Sequence, residues 1–239
     1  TGSSRTVNTI SKGYVDIPEG QVHYLACGPI DGIPLVLLHA TSDAASMWEA
    51  ALPIFGKRGY RAVAFDIPGH GNSFRPAQQP SALDYAAMMH AATSAMGIGP
   101  SHLLGHHFGA TVAGLLAAGY PDDTRSLSLY GWPNVGDAFM KSIATAGPRE
   151  FPADGTTVRE HWVRRWGMSG MGLDNPSDSR FSEALGVRTL VALLQAGRNW
   201  FWAYRAIGES DHRALAKRVT CPVLLFAGPR DHLWHETQD

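Results

Sequence analysis

The stretch Gly105-His106-His107-Phe108-Gly109 constrains this chain more than any other. The apolar pair Leu103-Leu104 leads into it, and the helix-like run from Ala110 to Ala118 follows. An apolar strand that turns through two glycines straight into a helix predicts a sharp strand–turn–helix unit. Its central side chain, His107, is lifted into a strained, exposed position above a sheet. Glycine is expected at both flanks because strand and helix pass too close there for a Cβ. The turn marks where chemistry is expected and makes a histidine the group presented.

Short apolar or alternating runs, punctuated by Gly and Pro, alternate with helix-like stretches along the rest of the chain. That rhythm predicts an α/β fold with a mostly parallel, doubly wound sheet. Residues 14–17 and 21–25 flank the turn Pro18-Glu19-Gly20 and predict an opening hairpin. Leu35 to Leu38 is an unbroken apolar run, as expected for a strand covered on both faces. Residues 62–65, 102–104, 127–130 and 223–226 are further strand candidates, and 46–56, 82–97 and 110–120 are helix candidates. The stretch 133–215 breaks the rhythm: it lacks a clear buried strand and is rich in Trp, Met, Phe and Arg. A helical cap inserted across the C-terminal edge of the sheet accounts for it. The organisation expected is a first core part over 1–132, a cap over 133–215 and a second core part over 216–239.

Composition narrows the function classes. With 44% hydrophobic and 17% charged residues, 239 residues can bury one sizeable core. A net charge of −1 without a basic block argues against nucleic acid or an anionic membrane as partner. No apolar run reaches the roughly 18 residues of a spanning helix. The first residues, Thr1-Gly2-Ser3-Ser4-Arg5, carry no signal-like apolar region. Cys27 and Cys221, each beside strand-like sequence, read as buried thiols of a reducing, cytoplasmic compartment. The partner expected is a small hydrophobic substrate, and the oligomeric state stays open.

Four segments in order carry a resemblance. Leu37-Leu38-His39-Ala40-Thr41 matches a strand-end His-Gly segment, with Ala40 in place of Gly. Asp66-Ile67-Pro68-Gly69-His70-Gly71-Asn72-Ser73 matches an Asp-x-x-Gly-His-Gly-x-Ser loop. Gly105 to Gly109 has the shape of a nucleophile elbow, and Gly228-Pro229-Arg230-Asp231 follows a strand as an acid-bearing segment does. From about residue 14 onward the chain resembles the α/β-hydrolase superfamily, in its branch of cap-bearing esterases, lactonases, epoxide hydrolases and dehalogenases. Two departures matter. The nucleophile position holds His107 rather than Ser, Asp or Cys, and the sequence ends eight residues after Asp231. The family's last strand, last helix and catalytic histidine are therefore missing, and the resemblance implies a truncated chain.

The resemblance implies site residues one by one. His107 and Asp231 are the catalytic candidates, His107 as nucleophile, as general base or inert, and Asp231 as the acid that orients a histidine. His232 and His235 lie on the acid's own loop and are not expected to serve as the base. The backbone amides of Thr41 and Phe108, with Ala40 beside them, are implied as the oxyanion hole. Ala40, His106, Trp132, Trp162, Trp166 and Trp202 are candidate substrate contacts under the cap, whereas Arg164 and Arg165 read as a solvated pair. A metal site joining His106 and His107 to His39, His70 and Asp66 is not expected. Adjacent elbow residues should point apart, and no i, i+4 His pair supports ligation. The expectation is a cofactor-free hydrolase of a moderately hydrophobic ester, lactone or related carbonyl compound. A lyase, cyclase or cofactor-independent oxygenase using His107 as base, and a non-catalytic small-molecule binder, remain open alternatives.

Overall fold

A computed structural model describes residues 9–133, 151–168, 183–228, 231 and 233. The chain opens with the expected hairpin, β1 (Ser11–Ile17) against β2 (Gly20–Cys27), closed by a two-residue turn at Pro18-Glu19. Five more strands follow: β3 (Ile33–Leu38), β4 (Tyr60–Phe65), β5 (Ser101–His106), β6 (Thr124–Tyr130) and β7 (Val223–Phe226). Among the described residues they form one seven-stranded sheet in the order β1-β2-β4-β3-β5-β6-β7. β1 and β2 are antiparallel to their neighbours, and every pairing from β4 to β7 is parallel. Chain order reverses around β3, so the ends of β3 and β5 lie side by side, with Leu38 opposite Gly105. In open parallel sheets this switch point is where ligands bind.

Period-two alternation explains the two cores. Val36, Leu38, Val63 and Phe65 face one side and pack with residues of α2 (Ala82–Ala95) and α3 (Phe108–Gly119). Leu35, Leu37, Ala62 and Ala64 face the other, against Ala45, Trp48 and Leu52. Strands buried on both faces must be apolar at every position, as residues 35–38 are. α2 starts where Ser81 and Asp84 cap each other, the Ser81 Oγ accepting the Asp84 amide and Asp84 accepting the Ser81 amide. The helix expected over 46–56 is interrupted: a single 3-10 turn (Ala45–Trp48) is followed by α1 (Leu52–Lys57). Pro53 explains the break, since it lacks an N–H and is accommodated only in a first helical turn.

Within 133–215 the described residues form helices only: α4 (Thr156–Met168), α5 (Glu183–Ala196), α6 (Asn199–Gly208) and α7 (His212–Ala216). α5 is tied to the loop after β4: Arg75 Nη2 donates to the Gln195 carbonyl at 2.6 Å, and Gln195 Nε2 donates to Asn72 Oδ1 at 3.4 Å. Arg188 lies 3.8 Å from Asp43. α6 and α7 go further, and Ala203, Ala206, Ile207 and Leu215 join the core around α3. Cys27 on β2 is buried as expected, whereas Cys221, just before β7, is only half-buried. Five strand spacings, about 24 Å, separate β2 from β7 in the sheet order, too far for a disulfide. Among the described residues no helix is long and apolar enough to cross a membrane.

Candidate active site

β5 ends at His106 and α3 begins at Phe108, so one residue, His107, makes the whole turn. Its backbone is held at φ 49 and ψ −107, a region costly for a side chain with a Cβ, by roughly 1–3 kcal/mol. The surroundings enforce it. The His107 amide donates to the Tyr130 carbonyl on β6 at 3.0 Å, and the Gly109 amide donates to the His39 carbonyl after β3 at 3.0 Å. A Cβ on Gly109 would run into the Leu38 carbonyl, and one on Gly105 into the Gly109 carbonyl. The glycine pair is therefore what lets α3 descend onto the ends of β3 and β5.

Asp231 meets His107 there. Its two carboxylate oxygens lie 3.0 and 2.9 Å from His107 Nε2. A carboxylate can only accept, so Nε2 carries the proton, and the lone pair of the neutral ring falls on Nδ1. Asp231 itself is tethered, with its amide on the Gly228 carbonyl at 2.8 Å and its Oδ1 accepting the Leu233 amide at 2.9 Å. Burial alone would raise the Asp231 pKa, but hydrogen bonds from His106 and His107 outweigh it and hold the carboxyl well below the usual carboxylate range. The side chains are 18% exposed for His107 and 5% for Asp231, so the imidazole is open while its acid is shielded.

Gly131 forms the floor. It has φ +63, and a Cβ there would lie 2.6 Å from His107 Nε2 and 3.1 Å from Asp231 Oδ2. Tyr130 stacks on His106 with ring centroids 4.2 Å apart, and Phe226 stacks on Tyr130 at 5.1 Å. Gly131, Tyr130, Phe226 and Leu233 are site neighbours that the sequence reading did not single out. A glycine directly after a predicted parallel strand, in Tyr130-Gly131-Trp132, was the signal available for the first two.

One expectation is corrected. His106 and His107 do not point apart: His106 Nε2 lies 3.8 Å from Asp231 Oδ2, and the two rings are 4.1 Å from centroid to centroid. Strand alternation would separate neighbours, but the positive φ of His107 reverses the backbone and returns its ring to the side His106 faces. One nitrogen from each ring and an Asp231 oxygen all lie within 4.8 Å of one another.

The other candidates are placed as follows. Ala40 and Thr41 are buried at the end of β3, and Phe108 is fully buried at the start of α3. The Phe108 amide, at a helix start, has no intrahelical acceptor by geometry. His39 is fully buried beside them; its Nδ1 donates to the Ala40 carbonyl at 2.8 Å, and its Nε2 accepts the Ile67 amide at 2.9 Å. Burial pushes its pKa down, so it is a neutral brace of the strand end. Asp66 accepts from His23 Nδ1 at 2.8 Å and from the Ala45 and Asn72 amides. His70 is fully buried, and burial pushes its pKa down to about 3. Both thus belong to a structural loop. Trp132 does not roof the site: it is buried edge-on against His212, ring centroids 4.9 Å apart, over Gly114 of α3. Trp162 on α4 and Trp202 on α6 are partly exposed. The side chains of Arg164, Arg165 and Trp166, and residues His232 and His235, lie outside the described residues.

Known proteins are similar to this chain in sequence and in fold. A non-heme chloroperoxidase of Streptomyces lividans is 26% identical over 92% of this chain and 83% of its own. Epoxide hydrolase 4 of Mus musculus is 33% identical, over 51% of this chain and 34% of its own. Among solved structures, epoxide hydrolase A from Mycobacterium thermoresistibile superposes with a TM-score of 0.76 at 17% identity, covering 92% of this chain and 83% of that one. The enol-lactonase from Burkholderia xenovorans does so with a TM-score of 0.66 at 18% identity, covering 91% and 81%. The sequence model of the alpha/beta hydrolase fold matches residues 33–237, and the chain belongs to that family.

Proposed function

We propose that this chain is a cofactor-free hydrolase of a moderately hydrophobic ester, lactone or related carbonyl compound, with His107 as general base. The observation that carries this reading is the Asp231 carboxylate on His107 Nε2, 3.0 and 2.9 Å from its two oxygens. That contact fixes the tautomer whose Nδ1 takes a proton, and it supports the charge that then develops on the ring. Water loses a proton to Nδ1 as its oxygen attacks the carbonyl carbon. The carbonyl oxygen becomes an oxyanion between the amides of Thr41 and Phe108. When the tetrahedral species collapses, the bond to the leaving oxygen breaks and that oxygen takes the proton back from His107. A serine at this turn would need a neighbouring base, whereas His107 is one already.

Hydrolase relatives support the reaction class, and α4 to α6 support an apolar roof, with Trp162, Trp166 and Trp202 carried on those helices. A panel of p-nitrophenyl esters and simple lactones tests the reading. Turnover is expected with the unaltered chain and background rates with His107→Ala at an unchanged melting temperature. Undiminished turnover in His107→Ala would overturn it.

A further inference from the structure

We propose that His106, His107 and Asp231 form a binding site for one divalent transition-metal ion, of which zinc is the best fit. This goes beyond the hydrolytic reading and does not depend on it; the ion takes Nε2 of the same His107, so the metal-bound state and the hydrolytic state of that ring are alternatives. The three residues bring two imidazole nitrogens and one carboxylate oxygen to a single point, a donor set that suits zinc, iron and nickel rather than calcium or magnesium.

Zinc sits about 2.0–2.1 Å from such donors, so the ligand atoms of a tetrahedral shell stand about 3.4 Å apart. In the chain, Asp231 Oδ2 lies 2.9 Å from His107 Nε2 and 3.8 Å from His106 Nε2, on either side of that spacing. The remaining separation, between the two rings' donor atoms, is at most 4.8 Å. Tetrahedral spacing requires the two rings to turn towards each other about their χ1 bonds.

The neighbours are arranged for ligation. The Leu233 amide anchors Oδ1, and Oδ2 lies 2.9 and 3.8 Å from Nε2 of His107 and His106. The stack of Phe226 on Tyr130 on His106 fixes the plane of one imidazole, and the strained backbone of His107 fixes the origin of the other. Orientation of ligands by such outer contacts commonly changes metal affinity 10–100-fold. Three protein ligands leave a fourth position open, the pattern of zinc sites that bind an exogenous molecule rather than of closed structural sites. On binding, each ring gives its Nε2 lone pair to the ion, so a proton held on Nε2 moves to Nδ1 of the same ring or is released to solvent.

The test is binding, kept separate from turnover. The full chain is stripped with EDTA, dialysed and titrated with zinc chloride by calorimetry, then with cobalt(II) by visible absorption. One equivalent is expected, with Kd below about 10 μM. Cobalt(II) should give d–d bands without thiolate charge transfer. His106→Gln, His107→Gln and Asp231→Asn should each weaken binding at least tenfold; circular dichroism identifies any variant that fails to fold, and the folded ones decide. Lack of saturable binding, or one-equivalent binding undiminished in the folded variants, overturns the proposal. Ester turnover of the stripped chain, measured alongside, reports on the hydrolytic reading alone.

Discussion

His107 Nε2 lies within 3.0 Å of both carboxylate oxygens of Asp231, across 124 residues of sequence. The turn residue and the loop carboxylate are in direct contact. In a three-part relay a separate histidine would stand in that space. On the hydrolytic reading proposed above, the turn residue serves as the base itself, and the pair suffices to move one proton.

Asp231→Asn tests the pair. An amide can donate to Nε2, which stabilises the tautomer with its proton on Nδ1 and removes the negative charge facing a developing imidazolium. Ester kcat/KM should fall by ~10²–10⁴, while the melting temperature shifts little. Steady-state kinetics and a thermal melt on one preparation check it. A loss under threefold would mean that Asp231 does not orient the base.

Gly131→Ala should separate the pair while leaving both residues of it unsubstituted. The new methyl would stand 2.6 Å from His107 Nε2 and 3.1 Å from Asp231 Oδ2, and alanine is strained at φ +63. The strain should cost ~1–2 kcal/mol of stability, and the displaced imidazole should cost ~10²-fold or more in kcat. Denaturant unfolding and kinetics measure the two effects. Unchanged kcat would show that the dyad tolerates opening.

Much of this was legible because local signals and tertiary demands agree. The apolar run Leu35–Leu38 needs two covered faces, and the sheet supplies them. Gly105 and Gly109 need a close approach of strand and helix, and the carbonyls of Leu38 and Gly109 stand where a Cβ would go. The convergence of His106 on Asp231 was not legible, because strand alternation is a local rule and the reversal comes from one residue forced to positive φ by its contacts. Trp132 was misplaced for a related reason: a tryptophan after a strand end can turn up to a pocket or down to a helix. Gly114 of α3 makes the room below.

Stability should fall on acidification below about pH 6.5, through buried neutral histidines. Burial holds His70 at about 3 and His212 at about 4, against an ordinary value of ~6.5. Between those values the unfolded chain binds protons that the folded chain refuses, so stability is fully present above the ordinary value and is lost as pH falls. Each histidine contributes up to ~1.4 kcal/mol per pH unit in that window. His70→Phe should remove one contribution at a cost of about 1 kcal/mol: the Nδ1 contact with the Pro68 carbonyl at 3.4 Å is lost, whereas Nε2 has no hydrogen-bond partner among the described residues and the ring lies against those of His39 and Phe108. Urea midpoints at pH 7.5 and pH 5 should converge for the variant relative to the parent. Parallel curves would assign the acid sensitivity elsewhere.

Phe108→Ala should divide stability from catalysis at the elbow. The ring is fully buried and meets Tyr85 edge-on with centroids 5.1 Å apart, so its loss should cost ~3–5 kcal/mol. The group placed in the oxyanion hole is the backbone amide of this residue, which alanine keeps. The turn that aims that amide is set by the Gly109 and His107 backbone hydrogen bonds, and these do not involve the ring. Activity per folded molecule, measured at low temperature with the folded fraction taken from circular dichroism, should stay within about tenfold of the parent, against the ~10²–10³ expected for loss of an oxyanion donor. A thousandfold loss in folded protein would mean that the ring positions the hole, and a destabilisation under 1 kcal/mol would mean that the core beneath α3 closes over the gap.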